Sequence, residues 1–475
     1  MTNLLDKNKT SEKLSEIAHL MRRASFGASP LELESLINIP YEDLVDSLID
    51  FDSSDSIDEF TLTRYHPMID RPSHLGNNHV GLEWLYRMVN TSNPLEEKMA
   101  LFWHYVFATG NSKVESSIQL NEQIKMFREY GLGSYRDLLK KLARDPAMLY
   151  WLDNTENHKK APNENWGREL LELFSMGAGN YTEEDVFECS RAFTGWTVSP
   201  KIHWLLWGPH LWEFEYKPED HDYGEKTFLG RKGNFNGDDI IDIIVQEPAC
   251  HKFIMRHLYN FFVADEPQVP AWPIDPPQDQ DAIDYLCDVF VKENFQMKPV
   301  LRAMFNSEFF KKSKFKKIKS PAEVVVGTFK LTEDMNGPDP RWSYFADQTT
   351  FMGQALFDPP SVEGWHTGKE WVNSGSFINR VNFMSDQFKN INSPGIIDLI
   401  TRLKNSNIQS ETEFLDKCLE FVGYFTLNDT SRSEIEAEII SRNLLEFNDI
   451  NQNRFGLDLA EVFSLIAGTR EYQFG

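Results

Sequence analysis

Cysteine is scarce: the chain has four in 475 residues, at 189, 250, 287 and 418. None forms a Cys-x-x-Cys pair, which removes the zinc-ribbon and redox-dithiol readings. Long apolar runs are missing too. None approaches the roughly 20 residues that a bilayer-spanning helix needs, so no membrane span is expected. The first 25 residues carry Lys, Arg and Glu and lack the apolar centre of a signal peptide, so the chain as numbered is expected to be cytoplasmic. Positive charge is in deficit, with 48 Lys and Arg against 73 Asp and Glu and a formal net charge of −25. Such a surface repels phosphate backbones, which argues against a nucleic-acid partner and favours solubility. His-Glu-x-x-His, Gly-x-Ser-x-Gly, Gly-x-Gly-x-x-Gly and the P-loop are absent. The commonest zinc-protease, elbow-hydrolase and nucleotide-binding patterns therefore have no support.

What is abundant is large apolar side chains. Thirty-five Phe and 12 Trp imply a big, well-filled core. Helical spacing dominates, and the expected fold is mainly α: a multi-helix globular structure with a small antiparallel β insertion near 196–235. There Trp, Tyr, Phe and Thr alternate with Gly and Pro. A helical core over 11–395 that contains this insertion is expected to be followed by a C-terminal helical extension over 396–475. Residues 1–10 read as loose, 52–79 as a long loop, and 333–350 as loop-like. Pro94 to Ala108 reads as a buried helix, apolar on nearly every side after Lys98. Lys311 to Lys319 carries six lysines, read as a solvated loop with an anion-binding patch as the alternative.

The stretch from Pro162 to Gly179 concentrates the candidate chemistry. It reads as one helix, with Pro162 in the first turn and Gly177 or Gly179 as a left-handed stop. Trp166, Leu170, Leu173 and Phe174 form its apolar stripe. Asn165, Arg168, Glu169 and Glu172 share the opposite side, just after Glu164. Either this face is solvated, with Arg168 pairing to Glu172, or it lines a cleft. In a cleft, Glu169 and Glu172 would share a proton or take a divalent cation, and Arg168 would orient an anionic group. His104 is either a satisfied core residue or a second base or ligand oriented by Glu97. His221 and Asp222, before Gly224, read equally as a turn support and as substrate contacts. Arg22, Arg23 and Arg144 would supply positive charge to the acidic face or serve as structural ion pairs. Asn234 to Asp239 reads as a helix cap, with Asp238 as the capping residue.

Several phrases together resemble a bacterial family known as domain of unknown function 1800. They are Arg22-Arg-Ala-Ser-Phe-Gly27, Glu97 to His104, Arg144-Asp-Pro-Ala-Met148, Pro162 to Leu173, Phe193-Thr-Gly-Trp196, His221 to Gly230, Asn236 to Asp239, Lys319-Ser-Pro-Ala-Glu323 and Phe357 to Trp365. They span about residues 15–390. The resemblance implies no established activity. It does imply relatives that look exported and stand beside a sulfatase-like family. The expectation from the residues is an enzyme acting on a small or saccharide-like polar substrate. Catalysis would fall to His104, Glu164, Arg168, Glu169 and Glu172, and binding to Arg22, Arg23, Arg144, Asn165, His221 and Asp222. The alternative is a non-catalytic assembly partner of another protein.

Overall fold

The computed structural model describes residues 2–475 except 52–56, 59, 61, 63, 65–78, 201–210, 340 and 447–451. The expected loop over 52–79 lies for the most part outside the described residues. Twenty-three α-helices and two two-stranded antiparallel sheets occur among the described residues, so the fold is mainly α with a small β insertion. Strand β1 (Trp196–Pro200) pairs with β2 (Trp212–Tyr216), with Trp196 opposite Tyr216. Strand β3 (Lys226–Phe228) pairs with β4 (Arg231–Gly233). Between β3 and β4 only Leu229 and Gly230 remain, at φ 46° and 76°. Positive φ at both central positions suits a two-residue hairpin to the right-handed strand twist.

Buried apolar side chains form two clusters. The larger draws on residues from Leu14 to Phe383, and the smaller on Leu331 and residues from Met384 to Tyr472. In the helix Pro94–Val106 every residue from Glu97 onward is buried, as its unbroken apolar texture requires. Two local expectations need correction. The first helix, Thr2–Ala24, begins within the stretch read as loose. Residues 342–351 form a helix, Trp342–Phe351, where a loop was expected. Its Ser, Gln and Thr content hides the pattern, but Trp342, Phe345, Ala346 and Thr349 are buried at spacings of three, one and three.

Three helices far apart in sequence meet at one carboxylate. Glu323, in the first turn of the helix Pro321–Thr332, accepts from Arg23 Nη1 at 2.9 Å and from Lys98 Nζ at 2.5 Å. Its second oxygen accepts from the Ser320 N–H at 2.7 Å, closing a capping box. Arg23 spends its other donors on the carbonyls of Phe261 and Phe262. Side-chain exposure is 1% for Arg23, 0% for Lys98 and 8% for Glu323. Burial alone would raise the Glu323 carboxyl, yet the two cations hold it well below the usual carboxylate range. Glu323→Gln leaves two buried cations without their counter-charge. It is expected to cost about 3–5 kcal/mol, measured as the fall in unfolding free energy by urea titration.

Candidate functional site

The central helix is shorter than its apolar stripe suggests. It spans Asn165–Glu172, with Glu164 at the N-cap position and Pro162 outside. The N–H groups of Met176 and Gly177 both donate to the Leu171 carbonyl, at 2.9 and 3.1 Å, and Gly177 adopts φ 79°. That left-handed turn ends the helix before the glycine can continue the stripe. Trp166, Leu170 and Phe174 are fully buried, as expected of the apolar face.

The polar face divides. Arg168 donates to both oxygens of Glu183, at 3.0 and 2.7 Å, and to Glu164 at 3.2 Å. Its guanidinium therefore ties the helix to its neighbour Glu183–Ala192, and the pairing expected with Glu172 is not made. Asn165 is exposed and reaches Asp153 at 3.2 Å. Glu169 and Glu172 are half-buried. Burial, then the Glu172 charge, push the Glu169 carboxyl up to about 7; Arg168 pulls it down and Glu363 adds to the rise. Glu172 accepts from the Tyr181 hydroxyl at 2.8 Å.

Glu172 and Glu363 both line a cleft of about 930 Å³ with its open mouth included, together with Lys252, Phe253, Arg256 and Trp272. The helix Pro248–Phe262 supplies Lys252, Phe253 and Arg256. Arg256 is held by Glu266 at 2.8 Å, and its guanidinium lies 4.5 Å from the Trp272 ring centre. Trp272 donates from Nε1 to the Pro267 carbonyl at 2.7 Å, which fixes the ring. The cleft thus offers fixed aromatic surface, two carboxylates and an exposed lysine.

His104 does not line this cleft. It is fully buried, and neither ring nitrogen has a hydrogen-bond partner among the described residues. Burial pushes it down to about 3, so it is a neutral imidazole. Glu97 cannot orient it: its two oxygens accept from Trp84 Nε1 at 2.8 Å and from Arg128 Nε at 2.7 Å. The imidazole stands edge-on to Trp84 and Trp365, at ring distances of 5.5 and 5.3 Å, and lies 5.8 Å from Phe357. Phe357 and Trp365 bracket the segment that carries Glu363. Gly364, at φ 82°, brings that segment so close that a Cβ there would lie 2.5 Å from the Tyr105 carbonyl oxygen. His104 thus underpins Glu363 from inside the core.

The remaining sequence candidates lie elsewhere. Arg144 makes a two-pronged contact with Asp238, at 2.9 and 2.6 Å, and covers the Trp196 ring at 4.4 Å. Asp238 is spent on this pair, and the cap of its helix is Asn236 instead. His221 Nδ1 contacts the Thr194 carbonyl at 2.9 Å, and Asp222 accepts from Arg191 at 2.7 Å. Both hold the turn before β3. Arg22 and Arg23 line a separate recess. No group of three or more His, Cys, Asp or Glu that could hold a metal ion occurs among the described residues. Glu363 and Trp272 went unrecognised as site candidates. The one sequence signal for Glu363 was its place before glycine in a turn-rich phrase.

Gly167 permits the central helix to approach Glu183–Ala192. A Cβ there would lie 2.3 Å from Ser190 Oγ and 3.1 Å from the Val186 carbonyl oxygen. Gly167→Ala is expected to cost about 1–3 kcal/mol in thermal unfolding, with part of the loss recovered by adding Ser190→Ala.

The family model described as "Protein of unknown function (DUF1800)" matches residues 19–474. No curated protein and no solved structure matches. The matched stretch includes the central helix, the residues that line the cleft, Arg22 and all but the last residue of 396–475, and with it the chain belongs to the DUF1800 family.

Proposed function

We infer that the chain is an enzyme performing acid–base chemistry on a small polar, saccharide-like substrate in the cleft beside the central helix. The observation that carries this reading is the Glu169 carboxyl, pushed up to about 7 by burial and by the charges of Glu172 and Glu363, which line the cleft. Glu169 is not itself a lining residue but stands three residues before Glu172 on the same helix. A group poised near neutral pH can both give and take a proton under working conditions. Glu172, fixed by Tyr181, is the second carboxylate. Trp272 and Phe253 supply flat apolar surface of the sort a sugar ring stacks on, and Lys252 the exposed polar contact. Arg168 and Glu164 position the helix, and His104 and Gly364 position Glu363; none of these four touches the substrate.

A second reading, a non-catalytic partner of another protein, has one observation in its favour. Arg144, Arg168, His221 and Asp222 all have internal partners, as residues that knit helices and turns together would.

Carboxyl carbon NMR of Glu169 separates the two. In the catalytic reading Glu169 titrates near 7, and Glu172→Gln lowers that midpoint by removing a like charge. Turnover, sought on a panel of glycosides and sugar esters, disappears in Glu169→Gln. A stability signature accompanies it. A carboxyl raised in the folded state binds more protons folded than unfolded, so its ionisation destabilises the fold as pH climbs from the usual carboxylate range towards 7. The Tm of Glu169→Gln is therefore expected to rise relative to wild type over that interval. A Glu169 midpoint in the usual carboxylate range removes the acid–base reading.

A further inference from the structure

We propose that the recess between the first helix and the final residues of the chain binds a small oxyanion, the head group of a phosphate- or carboxylate-bearing ligand, with Arg22 and Lys319 as its grips. The recess is narrow, about 560 Å³ with its mouth included, and is lined by Arg22, Arg23, Lys319, Glu323, Tyr472 and Gly475.

Three cations and one carboxylate side chain thus face the same space, and the carboxylate is already engaged. Glu323 is taken up by Arg23 and by Lys98. Arg22 spends only Nη1 on protein, donating to the Gly423 carbonyl at 2.6 Å. Its Nε and Nη2 are shut off from solvent and have no hydrogen-bond partner among the described residues. The guanidinium is fixed in place by the rings of Phe315 and Phe425, each 5.0 Å away. Lys319 is buried, its ammonium 3.6 Å from the Tyr472 ring centre and 4.7 Å from that of Phe425. Arg380 stands behind it, donating from Nη1 to the Lys319 carbonyl at 2.9 Å, with Nε and Nη2 unpartnered among the described residues. The Gly475 carbonyl oxygen is occupied by the Phe315 N–H at 3.1 Å.

In a chain with a net charge of −25, this is a local reversal of sign built into the interior. Burial pushes Arg22 down to about 9, with the neighbouring Arg23 charge adding to the effect. Unpartnered buried cations are costly, and an oxyanion accepting from them supplies both the missing charge and the missing acceptors. Two of the six lysines between 311 and 319 turn inward, Lys319 to the recess and Lys317 to Asp265 at 2.5 Å. The solvated-loop reading holds for Lys312 and Lys316, which are exposed. The recess is separate from the acid–base cleft, and neither inference depends on the other.

The test is a Tm series on the full chain at constant ionic strength, replacing chloride with orthophosphate, sulfate or acetate, followed by titration calorimetry. The expected result is a saturable rise in Tm with at least one oxyanion and at least a tenfold loss of its affinity in Arg22→Gln. A response to phosphate and sulfate alone assigns a phosphate-type group, and a response to acetate alone assigns a carboxylate. Should Arg22→Gln fail to fold, Lys319→Gln is judged by the same tenfold criterion. No saturable response to any of the three, or undiminished affinity in the variant, overturns the proposal.

Discussion

The buried junction of Arg23, Lys98 and Glu323 is the contact on which most of this architecture hangs. Its partners are 300 and 225 residues apart along the chain. Hydrophobic burial does not discriminate among the many ways of stacking a Phe-rich set of helices. A carboxylate that must meet two specific cations out of water does, because each misaligned arrangement strands a charge. The same junction positions the recess on one side, through Arg23 and Glu323, and the His104 helix on the other, through Lys98.

From that helix the order passes outward to the cleft. Trp84, buried against His104, also holds Glu97, and His104 in turn supports Phe357 and Trp365. The loop between them delivers Glu363 to the cleft that Glu172 also lines. Residues that look catalytic by type therefore do different work according to depth. His104, deep and neutral, is packing. Arg168, near the surface, is a strap between two helices. Glu169 and Glu172 sit at intermediate depth, where burial raises the Glu169 carboxyl and Glu172 still reaches the cleft.

Much of the fold was legible because helix spacing, caps and breakers are local signals. Thr182 with Asp185 and Ser320 with Glu323 form capping boxes in the structure, whereas the helix start read at Asp238 is capped by Asn236 with Asp239. The helix Trp342–Phe351 was missed because polar residues dilute its stripe. The site was legible only in part. The sequence places Glu169 and Glu172 together because three residues make nearly one turn. It cannot bring up Glu363 or Glu323, whose positions depend on contacts across two hundred residues or more, nor show that Trp272, held locally by Pro267 and Arg256, lines the same cleft as Glu172. His104 and Glu97 illustrate the converse: sharing a face in sequence, they part because Trp84 and Arg128 claim the carboxylate.

The seat of the first helix carries a consequence for how the chain is made. Arg22 bonds to Gly423, 401 residues downstream, and Arg23 to Glu323. The Ile318–Phe474 bridge and the Gly475 N–H on the Lys317 carbonyl close the same region from the other end of the sequence. During synthesis this helix can meet Pro30–Leu36 and Pro94–Val106 early, but Glu323 and Gly423 follow Arg23 and Arg22 by 300 and 401 residues. Its final polar anchors therefore close late, after most of the matched stretch has been made.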